Sequence, residues 1–166
     1  MGALTPIGNT VEEFWSNTKS GKSGIDYITL LDKDELSVKI AGEVKNFNPE
    51  EKIGKKESKR LDRYAQFALV CADEAIKSAG LDLENMDRNR IGVLIGSGIG
   101  GFQTIENQIS KIATGSKRVS PFFIPMAISN MAAGNISIKY GLKGPSTAIV
   151  TACATGTNGI GEAFRQ

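Results

Sequence analysis

Apolar residues recur at three- and four-residue steps between Lys59 and Ala79, where Leu61, Tyr64, Ala65, Ala68, Ala72 and Ile76 share one face and Gly80 follows as a stop. This spacing predicts a long amphipathic helix over 59–79. A shorter helix is expected through Val11, Phe14 and Trp15, with Asn9-Thr10 as its cap, Glu12 and Glu13 in the favourable first turn, and residues 20–24 breaking it. Leu36, Val38 and Ile40 alternate with Ser37 and Lys39, which predicts a short strand, and Asn48-Pro49 marks a turn after it. The apolar run 91–95 reads as a buried strand, followed by the glycine cluster 96–101 and a helix over 104–113. Ser120-Pro121 opens another helical stretch, and 130–140 predicts a further helix ended by Gly141. A β-branched and apolar run, 146–150, then precedes a Gly/Ala-rich helical segment, 154–164. Strands alternating with helices imply an α/β fold with a parallel or mixed sheet.

Composition narrows the function more than the fold. With 166 residues, 40% of them hydrophobic, the chain can bury a sizeable core as one domain. A net charge of +2, with lysines and arginines scattered except around 55–60, argues against a nucleic-acid partner. No apolar run approaches membrane-spanning length, so no membrane role is expected. Met1-Gly2 is followed by Pro6 where an acylation signal wants Ser or Thr, and Lys33-Asp-Glu-Leu36 is internal; neither works as a targeting signal. Two cysteines far apart, Cys71 and Cys153, fit a reduced cytoplasmic protein better than a disulfide scaffold.

The candidate chemistry centres on Cys153, which the pattern places at a strand-to-helix turn. Backbone N–H groups at a helix start carry partial positive charge, which favours thiolate over thiol and can hold a developing oxyanion. Ala152, Ala154, Gly156 and Gly159 remove bulk around the sulfur and let a ligand approach. The bland reading, a small residue in a buried turn, fits these neighbours less well. Cys71, inside the long helix, reads instead as a packing thiol. Histidine is absent, so the usual proton carrier for a cysteine nucleophile must come from another stretch of chain if the chemistry is here. No metal site is expected. Gly96, Gly98 and Gly101 satisfy the dinucleotide-binding spacing, but no Asp or Glu occurs between Asn107 and Gly161 to hold a ribose, so tight turns or close backbone approach explain them better. Lys55, Lys56, Lys59 and Arg60 gather at the expected helix start, where cations oppose the macrodipole; they are a solvated face or a docking patch for an acidic partner, and Lys117-Arg118 form a smaller one.

Several segments together resemble one family. Met1-Gly-Ala-Leu-Thr-Pro-Ile-Gly8, Ile95-Gly-Ser-Gly-Ile-Gly-Gly101, Ser120-Pro-Phe-Phe-Ile-Pro125, Tyr140-Gly-Leu-Lys-Gly-Pro-Ser146 and Thr151-Ala-Cys-Ala-Thr-Gly156 stand in the same order and nearly the same spacing as in the N-terminal half of the bacterial β-ketoacyl-[acyl-carrier-protein] synthases II. These are the elongating condensing enzymes of type II fatty acid synthesis, with a thiolase-like α/β fold. The resemblance implies that Cys153 accepts an acyl chain as a thioester from the phosphopantetheine of acyl carrier protein, and that the chain binds no cofactor of its own. A malonyl carrier protein then loses CO2, and its carbanion attacks that thioester. The Cys153 backbone N–H would be one oxyanion donor. Ile99 would gate the acyl pocket, while Phe122 and Phe123 would line that of the opposite subunit in a homodimer. Lys56, Lys59 and Arg60, with Lys117 and Arg118 as the second patch, would dock the acidic carrier.

The same resemblance implies that 1–166 is a partial N-terminal β-ketoacyl synthase domain, cut at both ends. In the family's sheet order 3-2-1-4-5 it would keep strands 2 and 3 and lack the first strand and the C-terminal half with its two histidines. Such a piece would expose apolar sheet edges and be unable to condense by itself. Polyketide-type ketosynthases usually carry Asp-Thr-Ala-Cys-Ser-Ser where this chain has Val150-Thr-Ala-Cys-Ala-Thr155, which favours the fatty acid branch. A non-catalytic carrier-binding or dimer-decoy module is the alternative from another class.

Overall fold

The computed structural model describes residues 1–166 apart from the side chain of Lys33. The chain divides into two compact units, Met1–Asn48 with Val70–Leu81, and Pro49–Leu69 with Asp82–Gln166.

In the first unit, helix α1 (Val11–Lys19) starts where the sequence places its cap: Thr10 Oγ1 accepts the Glu13 N–H at 3.2 Å. Strands β1 (Ile25–Tyr27) and β2 (Ile40–Gly42) pair antiparallel, with Ile25 opposite Gly42 and Tyr27 opposite Ile40. The strand expected at 36–40 therefore lies further along the chain, and its partner at 25–27 was not anticipated. Alternation at 36–40 serves no buried face, since Val38 and Ile40 are 64% and 54% exposed, so the backbone ladder sets the register in place of the side-chain pattern. Polar bonds hold this unit together. The Glu74 carboxylate accepts the Ala3 and Val11 N–H groups, each at 2.8 Å, and Glu43 accepts the Leu30 N–H at 3.2 Å and the Thr29 hydroxyl at 2.6 Å. Among its described residues none is fully buried.

The second unit opens with two short helices, α2 (Pro49–Lys52) and α3 (Lys55–Ser58), before α4 (Arg63–Ser78), whose residues from Val70 onward belong to the first unit. The single helix expected over 59–79 thus begins four residues late, at Arg63. Asp62 interrupts it: its Oδ1 accepts the Tyr64 N–H at 3.3 Å, and its carbonyl takes the Gln66 N–H at 3.0 Å, so Asp62 starts α4. Lys55 and Lys56 consequently sit on α3, and Lys59 and Arg60 on the turn between the helices; none of them opposes the α4 dipole from within its first turn.

Strands β3 (Val93–Gly96) and β4 (Ser146–Ile149) pair in parallel, Val93 opposite Ser146 and Gly96 opposite Ile149, so both end at one edge. Around them stand α5 (Phe102–Ala113), α6 (Phe123–Ala127), α7 (Met131–Tyr140) and α8 (Thr155–Arg165). Leu61, Ala65, Leu69, Ala132, Ala133 and Ile136 are buried and form the core. Sealing Leu69 alone, at 1% exposure, is worth roughly 1.5–3 kcal/mol. On α8, Ile160 and Phe164 point outward, 76% and 91% exposed. Among the described residues no helix is long and apolar enough to cross a membrane.

Candidate active site

Cys153 lies where the sequence placed it, on a tight 3-10 turn, Ala152–Ala154, between β4 and α8. Its side chain is exposed. Ala152, just before it, holds φ +48°, a left-handed conformation that costs a residue with a Cβ about 1–3 kcal/mol and persists only where neighbours over-determine it. Those neighbours are visible. Thr151 donates its N–H to Thr155 Oγ1 at 2.9 Å, Asn158 Nδ2 donates to Thr151 Oγ1 at 2.9 Å, and the Ala154 N–H returns to the Thr151 carbonyl at 3.1 Å. The turn that carries Cys153 is thereby fixed at the N-terminal end of α8.

The glycine cluster meets this turn. A Cβ at Gly96 would collide with the side chain of Thr155, which is itself buried, so only glycine lets β3 run against the start of α8. The Ser97 N–H then donates to the Ile149 carbonyl at 3.2 Å, extending the pairing one step past the end of β3. Loops leaving the carboxyl ends of parallel strands are where α/β folds build sites, and both loops here leave from that edge. Ile99, on the glycine loop, is 65% exposed.

The remaining expected site residues fall into two groups. Phe122 caps α6 and is 40% exposed, and Phe123 behind it is half-buried. The Arg60 guanidinium stands over the Phe122 ring at 5.0 Å from its centroid, joining an expected docking residue to an expected pocket residue. Lys56, on α3, and Lys59, on the turn after it, are exposed, and the Ser58 and Leu61 carbonyls at this turn both accept from Gln66 Nε2, at 3.0 and 3.1 Å. Lys117 and Arg118 lie on the exposed loop after α5. Cys71 is unlike Cys153: half-buried on α4, its thiol is pushed above the ordinary range by burial and, second, by the Glu74 carboxylate.

Sequence reasoning missed Thr155, the residue that clamps the turn, and Asp62 and Thr104, which form a buried pair discussed below. Thr155 follows the cysteine by two residues and could have been read as a capping hydroxyl. The Asp62–Thr104 pairing, 42 residues apart in sequence, left no local signal.

A parallel strand pair delivers an exposed cysteine to the start of a helix, flanked by a glycine loop. The chain belongs to the β-ketoacyl synthase family, whose N-terminal domain profile, "Beta-ketoacyl synthase, N-terminal domain", matches residues 1–166. It is 55% identical over 166 residues to the 3-oxoacyl-[acyl-carrier-protein] synthase 2 of Staphylococcus aureus (strain N315), covering 99% of this chain and 40% of that protein. Two solved structures share the fold. A β-ketoacyl synthase from Burkholderia phymatum STM815 superposes with a TM-score of 0.81 at 24% identity, over 99% of this chain and 41% of that one. A ketosynthase solved in complex with its type II polyketide-synthase acyl-carrier protein and bound to the hexaketide gives 0.79 at 22% identity, over 99% and 44%. The chain thus spans about two fifths of the length of the curated relatives it matches, and the expected thiolase-like α/β class holds.

Proposed function

We propose that this chain carries the nucleophile of an elongating 3-oxoacyl-[acyl-carrier-protein] synthase in fatty acid biosynthesis. The Cys153 thiolate attacks the thioester carbonyl of an acyl group borne on the phosphopantetheine of acyl carrier protein. A C–S bond forms at Cys153, the pantetheine thiolate leaves with its electron pair, and it takes up a proton. A malonyl group on a second carrier protein then loses CO2; the carbon left with the electron pair bonds to the acyl carbon, and the Cys153 thiolate is released. The product is a 3-oxoacyl carrier protein two carbons longer. The N–H of Cys153 is assigned to the oxyanion, Ile99 to the entrance of the acyl pocket, and Phe122 and Phe123 to the pocket of a second subunit. Histidine is absent from the chain, so proton handling during decarboxylation is assigned to groups outside these 166 residues.

Lys56, Lys59 and Arg60, with Lys117 and Arg118, are assigned to docking an acidic carrier; a homodimer is assigned as the working unit, and two free thiols suit the cytoplasm. The observation that carries the reading is the exposed thiol on a strained turn at the head of α8, in a chain 55% identical to a synthase 2. That identity favours the fatty acid branch over the polyketide one. Intact-protein and peptide mass spectrometry after exposure to acyl carrier protein tests it: the acyl mass should appear on Cys153 and not on Cys71. Acyl mass on Cys71, or on neither, would overturn the assignment.

A further inference from the structure

The turn that presents Lys59 and Arg60 is tied into the second unit by side chains at alternating positions. Arg60 rests on Phe122, ahead of α6, at 5.0 Å. Asp62, only 5% exposed, uses Oδ2 to accept both the N–H of Thr104, at 2.8 Å, and its hydroxyl, at 2.6 Å, where Thr104 is itself 7% exposed. Tyr64 donates its hydroxyl to the Ile128 carbonyl at 2.5 Å, just past the end of α6. Thr104 stands in the first turn of α5, whose own N-cap, Gly101, makes no side-chain cap bond. Asp62 supplies that cap from a distance, its negative charge at the positive end of α5, while its other oxygen starts α4. A buried carboxylate that begins two helices is not needed for the chemistry of Cys153.

It bonds the helix turn that follows the loop bearing Ile99. One end of that loop leaves β3; the other runs straight into the α5 turn that Asp62 holds. Between them, the Gly101 N–H donates to the Ala127 carbonyl at 2.9 Å, and Gly100, at φ +86°, leaves no room for a Cβ, which would stand 2.5 Å from the same oxygen. The end of α6 against which the loop presses is the end that Tyr64 anchors. Ile99 is 65% exposed, so its pose follows from these attachments and not from packing of its own.

We propose that Asp62 is a positioning residue that couples engagement of the carrier on Lys59 and Arg60 to the pose of Ile99, and so sets which acyl chains reach Cys153. The inference rests on the carrier-fed acylation proposed above. Its test uses Asp62→Asn, which keeps the shape but removes the charge, and Thr104→Val, which keeps the carboxylate and the N–H bond but removes the hydroxyl, both in the complete gene product. Cys153 acylation is followed by mass spectrometry with long and short acyl groups, each offered on carrier protein and on free pantetheine. The long-to-short rate ratio should shift by about threefold or more in both variants, and the advantage of carrier over pantetheine should fall with it. Lowered thermal stability with both ratios unchanged would reduce Asp62 to a structural residue and overturn the proposal. Should Asp62→Asn fail to fold, Thr104→Val decides by the same ratios. An unsubstituted protein that is never acylated at Cys153 removes the underlying reading and this proposal together, a result distinct from unchanged ratios.

Discussion

The two units are stabilised by different physics. In the second, side chains such as Leu69, Ala132 and Ile136 are removed from water and packed together; in the first, among the described residues, none is fully buried, and the carboxylates of Glu74 and Glu43 gather backbone N–H groups instead. Apolar packing is dense and resists displacement, whereas a hydrogen bond in reach of water contributes about 1 kcal/mol net. The contrast teaches where a reactive group can be held. The strained turn of Cys153 belongs to the unit with the core, and the half-buried thiol of Cys71 belongs to the unit without one.

Exchanging the thiols should break this contrast most sharply. Cys153→Ser is expected to abolish acyl transfer to the protein and Cys71→Ser to leave it intact, as read by intact mass after incubation with acyl carrier protein. Next in size, Leu69→Ala should destabilise by about 2–5 kcal/mol through a cavity the core cannot close, measured by urea unfolding. Gly96→Ala should cost about 1–3 kcal/mol, because the new methyl meets Thr155, and should slow alkylation of Cys153 as the turn shifts. Glu74→Ala, in the unit without a core, should cost only about 1 kcal/mol and speed amide exchange at Ala3 and Val11.

The remaining effects come with pH. Burial and the Glu74 charge raise the Cys71 pKa, so the fold prefers the protonated thiol. That contribution is fully present below the unfolded thiol's value of about 8.5 and is lost as pH rises through the folded value. Tyr64 behaves likewise: burial first, and the Asp62 charge second, push it up to about 12, so its share of stability should fade between roughly pH 10 and that value. Alkylation of Cys71 that tracked free cysteine across pH 7 to 9 would contradict the first of these.

Helices with clear end signals were legible in the sequence, as at the Thr10 cap of α1 and the Gly141 stop of α7. The extents of α1, α5, α7 and α8 fall within two residues of expectation, and the cysteine turn is where the chain pattern put it. The short strands of the first unit were not legible in this way. β1 and β2 are three-residue strands whose pairing is a backbone affair, and the late start of α4 depended on Asp62 finding Thr104 far along the chain. The basic residues near 55–60 were visible, but not that one of them would lie across Phe122. Long-range pairing between side chains leaves no periodic trace.

Ala152 takes a backbone shape that glycine would adopt at no cost, and yet carries a methyl group. The backbone from which Cys153 projects is therefore enforced by the hydroxyl and amide groups of Thr151, Thr155 and Asn158, in place of being left to a free hinge. The pose of this turn becomes adjustable by exchanging single oxygen atoms: serine at 155 should preserve it, valine should loosen it, and a glycine at 152 should relieve its strain with the clamps intact.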